Sequence, residues 1–208
     1  MPLRCPTPPH RPTIPTVEDV PLADIRSAAA GDADASRRIV EALHRPVLAT
    51  VHRFVGRRFA EDIEDIAQEV FLKIFKAIDR FDPDRGVKFT TWAFTFVKNH
   101  CFDVLKKRRL PTFSLGGEED EAGTWELEDA GARKPGDTAL NAELGQQIEA
   151  ALQQLSPDHR MVFVLREFEQ MDLKSIAGVM DCSEGTVKSR LHRAKEALKD
   201  KLRPYLQT

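Results

Sequence analysis

Apolar residues recur at helical spacing along most of the chain, and this periodicity limits the fold to a helical one. The clearest example is a seam of apolar positions between residues 63 and 78, which would line one side of a helix of about four turns. These positions are Ile63, Ile66, Ala67, Val70, Phe71, Ile74, Phe75 and Ile78. No segment shows the alternation of a half-buried strand, and no internal repeat is present. The sequence therefore predicts an all-α protein.

The same periodicity predicts helices on both sides of this seam. We expect the chain to become helical from Asp24. Pro46 fits the first turn of a helix, and it would separate an apolar stripe at 39–43 from the next one at 47–55. Residues 89–109 again show a helical pattern, with aromatic residues at the start and basic residues at the end.

Two segments lack this periodicity and divide the chain into domains. Residues 1–21 carry seven of the 13 prolines, which predicts a disordered lead. Residues 111–136 are rich in glycine and strongly acidic, which predicts a flexible linker. The acidic run is either a soluble spacer or a polyanion that masks basic surfaces elsewhere on the free protein. We therefore expect two small helical domains, at 22–110 and 137–208, joined by an acidic linker.

Composition and charge exclude several classes of protein. No apolar stretch reaches the roughly 20 residues that span a bilayer, and the N-terminus lacks the apolar region of a signal peptide. Three separated cysteines, without a CxxC pair, predict neither a disulfide framework nor a zinc site, so a reducing cytoplasm is expected. The formal net charge of −2 conceals a basic C-terminal segment, since residues 183–203 hold seven Lys or Arg against three Asp or Glu.

The segment 172–194 has the pattern of a helix-turn-helix. A short helix over residues 173–180 precedes a tight turn, after which Ser183 can cap a second helix. Apolar residues at helical spacing in the second helix must face the core, and its basic and polar residues then point outward, where they could enter the major groove of DNA. The outward residues are Lys188, Ser189, His192, Arg193 and Lys195. The alternative is a solvated charged face on a structural helix.

Two features of the first domain have both a functional and a structural interpretation. The polar side of the 63–78 helix holds Leu72, which marks either a docking surface or an ordinary solvated face. Residues 81–102 contain six of the 15 aromatic residues, and Lys and Arg follow at 106–109. Aromatic rings beside cations suit single-stranded nucleic acid, whereas core packing is the structural alternative. We assign three aromatic residues to the core outright: Phe71, Phe75 and Phe89.

Three segments in this order resemble the signature segments of one protein family. They are Asp65-Ile-Ala-Gln-Glu-Val-Phe-Leu-Lys, Phe89-Thr-Thr-Trp-Ala-Phe-Thr-Phe-Val-Lys-Asn, and the helix-turn-helix end that begins Gly185-Thr-Val-Lys-Ser-Arg. Together they resemble the extracytoplasmic-function (ECF) group of bacterial sigma factors, over residues 22–110 and 137–205. The resemblance implies a non-catalytic subunit that binds core RNA polymerase and directs promoter recognition, DNA opening and transcription initiation for a stress or envelope-response regulon. It also implies an anti-sigma factor as a partner.

The resemblance further implies roles for individual residues. The implied polymerase-docking residues are Asp65, Gln68, Glu69 and Leu72. The implied contacts to the −10 element, which is captured as a single strand around a loop at 99–101, are Trp92, Lys98, Asn99, His100, Lys106 and Arg108, with Asn99 as the base reader. The implied contacts to the −35 element are Thr186, Lys188, Ser189, Arg190, His192 and Arg193. His100-Cys101-Phe102 is bulkier than the small residues often found in that loop, so the −10 base preference does not carry over.

Two other classes of function fit the sequence less well. An enzyme would need a phosphate-binding glycine loop, a metal motif or a nucleophile with its base, and none is recognisable. We therefore expect no catalytic residue, metal, cofactor or small-molecule substrate. A stand-alone helix-turn-helix regulator would account for the C-terminal domain but leave the first domain unexplained. A pull-down separates the two, because a sigma factor captures core polymerase whereas a regulator captures duplex operator unaided.

Overall fold

The computed structural model describes residues 19–109 and 138–206, and these ranges contain α-helices and short 3₁₀ helices but no strand, as the all-α prediction requires. The α-helices are α1 (Leu22–Ala29), α2 (Ala33–Val55), α3 (Ile63–Ala77), α4 (Phe89–Arg109), α5 (Thr138–Gln153), α6 (Pro157–Glu167), α7 (Leu173–Met180) and α8 (Glu184–Leu206). The acidic linker between α4 and α5 lies outside the described residues. None of the described helices is both long and apolar enough to cross a membrane.

The longest helix of the first domain, α2, runs without a break through Pro46. It begins at Asp32, whose carboxylate accepts hydrogen bonds from the amides of Asp34 and Ala35 at 2.9 and 3.2 Å, and it ends at Gly56, which has a φ of 81°. The prediction that Pro46 starts a new helix is wrong. Apolar side chains stay in helical register on both sides of the proline, and their burial offsets the backbone bond that proline cannot make. These fully buried residues are Ile39, Leu43, Val47 and Val51.

The folded region begins slightly before the predicted boundary at residue 22. Val20 is buried, and the Asp19 carboxylate accepts a hydrogen bond from the Thr90 amide at 3.1 Å. Thr90 lies in the first turn of α4, where amides have no partner within the helix, so Asp19 satisfies one of them. The prediction of a disordered lead is therefore wrong for residues 19–21, and the residues before 19 lie outside the described part.

A hydrophobic core extends from the first four helices into the second half of the chain. Phe71 and Phe89 are buried in it, as predicted, and Phe75 packs against it half-buried. From the C-terminal half it includes Met161, Val162, Leu165, Ile176, Val179, Met180 and Val187. Helix α4 therefore packs against α7, and α2 packs against α6. A second, smaller cluster between α5 and α8 consists of Ala151, Leu152, Leu155, Ala194 and Leu198.

A buried arginine on α6, Arg160, joins the ends of two helices. Its guanidinium donates to the carbonyl of Phe54 near the C-terminus of α2, and to the carbonyls of Gln153 at 2.6 Å and Leu155 at 3.1 Å where α5 ends. Carbonyls at a helix C-terminus have no partner within the helix, and the helix dipole favours a cation there. Arg160 is only 6% exposed, so a carbonyl left unpaired beside it would be buried, which is costly. Its hydrogen bond to the Phe54 carbonyl links the second domain to the first.

A second buried charge, Glu169, lies beside α2 in the same interface. Its Oε1 is 3.9 Å from Nη1 of Arg53, whose guanidinium also lies 4.2 Å from the centre of the Phe168 ring. Burial raises the pKa of the Glu169 carboxyl from its ordinary 4.5 to about 7, and the neighbouring Thr50 and Arg53 only partly oppose this rise. Burial likewise lowers the pKa of Arg53, which remains a cation.

We expect Glu169 to make the stability of this fold depend on pH. Between pH 4.5 and about 7 the folded chain holds the Glu169 proton and the unfolded chain has lost it, so this group stabilises the fold below pH 4.5 and its contribution is lost by about pH 7. Replacing Glu169 with Gln removes the titration. The free energy of unfolding of Glu169→Gln, measured in urea and relative to wild type, should therefore rise across this range by up to about 3 kcal/mol. A difference that stays constant with pH would contradict the expectation.

Candidate polymerase and nucleic-acid interfaces

The exposed side of α3 carries the residues that the resemblance assigns to polymerase docking. Asp65, Gln68 and Glu69 are exposed around Leu72, which is itself 59% exposed. The opposite side of α3 is buried against the core through Ile66, Ala67, Val70, Phe71 and Ile74. An apolar side chain ringed by polar groups has the composition of a small protein-binding surface.

Helix α4 begins within a cluster of aromatic rings. The Trp92 ring lies 5.6 Å from Phe81, 5.3 Å from Phe89 and 4.8 Å from Phe96, measured between ring centres. Phe89 and Phe94 are buried, whereas Trp92 and Phe96 are half-buried at the edge of the core. Most of the aromatic density is therefore core packing, and only the edge rings are partly accessible to a ligand.

Asn99 lies on the surface of α4, not in a loop. The predicted loop at 99–101 is wrong, because α4 continues through these residues. The Oδ1 of Asn99 accepts a hydrogen bond from Nζ of Lys98 at 3.0 Å, which orients the exposed amide. Lys106, two turns further on, is exposed, and the side chain of Arg108 lies outside the described part.

His100 points into the fold and is only 4% exposed. Its Nδ1 lies 2.6 Å from Nζ of Lys73, and its Nε2 lies 3.3 Å from Oε2 of Glu69, so the ring sits between two side chains of α3. Burial, and then the Lys73 charge, lower the pKa of His100, which keeps the imidazole neutral at neutral pH and able to accept from Lys73. The role in DNA contact assigned to His100 from the sequence is corrected accordingly, since the ring is not on the accessible surface.

The helix-turn-helix forms with the predicted helix boundaries. Asp172 starts α7 by accepting from the Ser175 amide at 2.7 Å, and this hydrogen bond lowers the pKa of the Asp172 carboxyl. Asp181 then adopts a left-handed φ of 51°, which turns the chain toward α8. The hydroxyl of Ser183 accepts from the Thr186 amide at 3.1 Å, which confirms the predicted cap.

One side of α8 presents the expected recognition surface. The buried side is formed by Val187, Ala194 and Leu198, and Leu191 packs half-buried beside them. The exposed residues among the predicted −35 contacts are Lys188, Ser189, His192 and Arg193. These four side chains lie within the first three turns of α8, the part of such a helix that enters the major groove.

Two of the residues assigned to the −35 element are engaged within the fold. The Thr186 hydroxyl lies 2.9 Å from Oγ of Ser183 and is half-buried. Arg190 is half-buried too, with Nη1 3.3 Å from Oδ1 of Asp158 on α6 and 3.9 Å from Sγ of Cys182. In this structure Arg190 holds α8 against α6, so it would have to leave an ion pair before contacting DNA.

Comparison with known proteins identifies the class of protein to which this chain belongs. Residues 39–110 match the family model for Sigma-70 region 2, and residues 145–198 match the model for Sigma-70, region 4. The first match covers α3 and α4, and the second covers the helix-turn-helix. The two matches define a sigma factor, and the presence of region 2 disfavours a stand-alone helix-turn-helix regulator.

Full-length relatives narrow the class further. The chain is 33% identical over 183 residues to the ECF RNA polymerase sigma-E factor of Escherichia coli K12 and 35% identical to the RNA polymerase sigma-H factor of Pseudomonas aeruginosa; in both cases the alignment covers 85% of this chain and 91% of the relative. The chain belongs to the ECF sigma factors, and it therefore acts with RNA polymerase in promoter-directed initiation of transcription.

Solved structures share the arrangement of the helices. One, of CnrH in complex with the cytosolic domain of CnrY, is 26% identical, has a TM-score of 0.62 and is matched over 88% of this chain and 96% of that one. Another, of the sigma factor RpoE with the anti-sigma factor NepR from Bartonella quintana, is 20% identical with a TM-score of 0.58 over 80% and 96% of the respective chains. The second likeness concerns the fold alone.

Proposed function

We propose that this sigma factor uses three separate exposed surfaces for its three tasks. The surface of α3 around Leu72 docks on core RNA polymerase, the Asn99 side of α4 reads the −10 element, and the Arg193 side of α8 reads the −35 element. The observation that carries this proposal is that each surface is exposed on a different helix, and each of these helices has another side buried in the core. Residues 22–110 and 137–208 would then form the two working domains, with 111–136 as their linker.

The proposal includes the setting in which the protein works. The chain supplies binding surfaces and no chemistry of its own, and it acts in the cytoplasm, where bacterial RNA polymerase transcribes. An anti-sigma factor is its expected antagonist, because the solved complexes with CnrY and NepR each pair a similar fold with a second protein. Run-off transcription with core polymerase and genomic fragments tests the proposal: discrete transcripts that require the chain support it, and transcripts independent of the chain refute it.

Arg193 is expected to read a base of the −35 element. If its guanidinium makes a bidentate base contact, Arg193→Ala should cost about 1–3 kcal/mol on the correct sequence and little on a scrambled one. Lys199→Ala is the matched control, because Lys199 is exposed further along α8 and should contribute only a phosphate contact. Fluorescence anisotropy on both duplexes at several salt concentrations measures the difference. Equal losses on both sequences for Arg193→Ala would show a phosphate contact alone.

Asn99 is expected to act only after the −10 duplex opens. Asn99→Ala should leave recruitment to duplex promoter DNA unchanged but reduce strand opening roughly tenfold, since the flipped base loses its hydrogen-bonding partner. Permanganate reactivity of unpaired thymines in the −10 region reports opening directly. Asp103→Ala, an exposed change one turn further along α4, is the control and should open DNA at least as well as wild type. Normal reactivity with Asn99→Ala would assign base reading to another residue.

A further inference from the structure

A buried contact links the proposed docking surface on α3 to the proposed base reader on α4. Glu69 belongs to the exposed docking surface, yet its Oε2 lies 3.3 Å from Nε2 of the buried His100. His100 directly precedes Cys101 and directly follows Asn99 along α4. A single imidazole therefore touches a polymerase-facing carboxylate and stands next to the residue that meets the −10 base.

The His100 ring is held by a hydrogen bond on one side and an electrostatic contact on the other, both with side chains of α3. Lys73 is positively charged and can only donate, so at 2.6 Å it requires Nδ1 of the imidazole to be the acceptor. The ring proton then resides on Nε2, which lies 3.3 Å from Oε2 of Glu69 in an electrostatic contact and makes no hydrogen bond among the described residues. With both nitrogens directed at α3 and Cys101 fully buried beside it, α4 cannot rotate about its axis without breaking this contact.

We propose that His100 is a positioning residue, which holds Asn99 in the orientation for base capture by pinning α4 to the polymerase-docking helix α3. Successive side chains on a helix point about 100° apart, so the direction of the Asn99 amide follows the rotation that His100 sets. Glu69 then has two functions, contact with polymerase on its exposed side and contact with His100 on the other. This inference rests on the proposed role of Asn99 in −10 recognition.

The arrangement gives docking a direct effect on base reading. A carboxylate that is 60% exposed can bind a cation of the polymerase with one oxygen while its other oxygen stays in electrostatic contact with the His100 ring, 3.3 Å from Nε2. Such a bound cation would restrict Glu69, and through it His100 and α4. The Asn99 amide would be more rigidly placed in the holoenzyme than in the free chain, which reduces the entropy lost on capturing a base.

The test uses the full chain with core polymerase and a promoter found by run-off transcription. His100→Leu removes both contacts while filling the buried space, and His100→Gln keeps one donor and one acceptor. We expect His100→Leu to reduce permanganate reactivity in the −10 region roughly tenfold, the effect of an ordinary hydrogen bond, with core affinity unchanged within about twofold. His100→Gln should restore most of the reactivity. If His100 only filled space in the core, His100→Leu would be tolerated at least as well as His100→Gln.

A double-mutant cycle with Asn99→Ala decides whether His100 acts through Asn99. If it does, Asn99→Ala combined with His100→Leu opens DNA no worse than Asn99→Ala alone. If the two substitutions reduce DNA opening additively, or if His100→Leu opens DNA normally while Asn99→Ala does not, the inference about His100 is wrong. The proposed role of Asn99 as the base reader would still stand. Normal opening by Asn99→Ala would instead refute the proposed function. Should His100→Leu fail to fold, Lys73→Met breaks the same contact from an exposed residue and must show the same defect.

Discussion

Replacing Leu72 with arginine is expected to abolish stable binding to core RNA polymerase while the fold remains intact. Leu72 is 59% exposed, so the substitution disturbs no core contact in the free protein. On docking, however, an apolar anchor would become a cation that must be desolvated without a designed partner. A loss of at least about 2 kcal/mol, or roughly 30-fold in affinity, follows, and co-purification with core polymerase should fall below detection.

The matched control for this change is Leu22→Arg. Leu22 is also an exposed leucine, at 38%, but it lies at the start of α1, to which no docking role is assigned. Leu22→Arg should therefore bind core polymerase like the wild type, and circular dichroism should show unchanged helix content in both variants. If Leu72→Arg and Leu22→Arg co-purify with polymerase equally well, the docking surface lies elsewhere on the chain.

Local helical structure and the recognition motif could be predicted from the sequence because both depend on short-range periodicity. The spacing of Val187, Leu191 and Ala194 determines which side of α8 is buried, and this alone directs Lys188 and Arg193 outward. Leu72 could be recognised in the same way, as an apolar residue on the polar side of a seam. For α3 and α8, the spacing of apolar residues in the sequence and the observed buried sides therefore agree.

Residues whose surroundings come from distant parts of the chain could not be predicted in this way. His100 looks like a polar residue available to a ligand until α3 is placed beside it, with Lys73 and Glu69 about thirty residues earlier in the sequence. Arg190 sits on the polar side of α8, and only the packing of α6 supplies its partner Asp158. Local rules also misplaced the helix boundary at Pro46, because tertiary burial of a continuous stripe outweighed the local cost of proline.

The packing of the two domains against each other was likewise not predicted. Met161, Val162 and Val179, on α6 and α7, belong to the core shared with α2 and α4. Periodicity shows that a helix side is buried but does not show what buries it. Arg160 is the extreme case: its partner Phe54 is 106 residues away, and nothing in the neighbouring sequence marks it as a buried residue.

Arg160→Met is expected to cause the largest loss of stability of any single change in this interface. Methionine can fill the buried volume, but the carbonyls of Phe54, Gln153 and Leu155 then lose the guanidinium that caps two helix ends. Each buried carbonyl left without a donor costs about 1–3 kcal/mol, so the three together cost at least about 3 kcal/mol, a large part of the stability of an ordinary domain. Thermal unfolding followed by circular dichroism should shift down by roughly 6–20 °C.

An exposed arginine supplies the control that separates this effect from the mere loss of a charge. Arg37 has a side chain that is 70% exposed and pairs with the exposed Asp34 at 3.6 Å, so Arg37→Met should change the free energy of unfolding by no more than about 0.5 kcal/mol. The order of events should also differ, because Arg160 joins α6 to the end of α2. Limited proteolysis of Arg160→Met should release the C-terminal half before the first domain is cut, whereas Arg37→Met should be cut like the wild type. Equal melting temperatures for the two variants would mean that Arg160 does not hold the domains together.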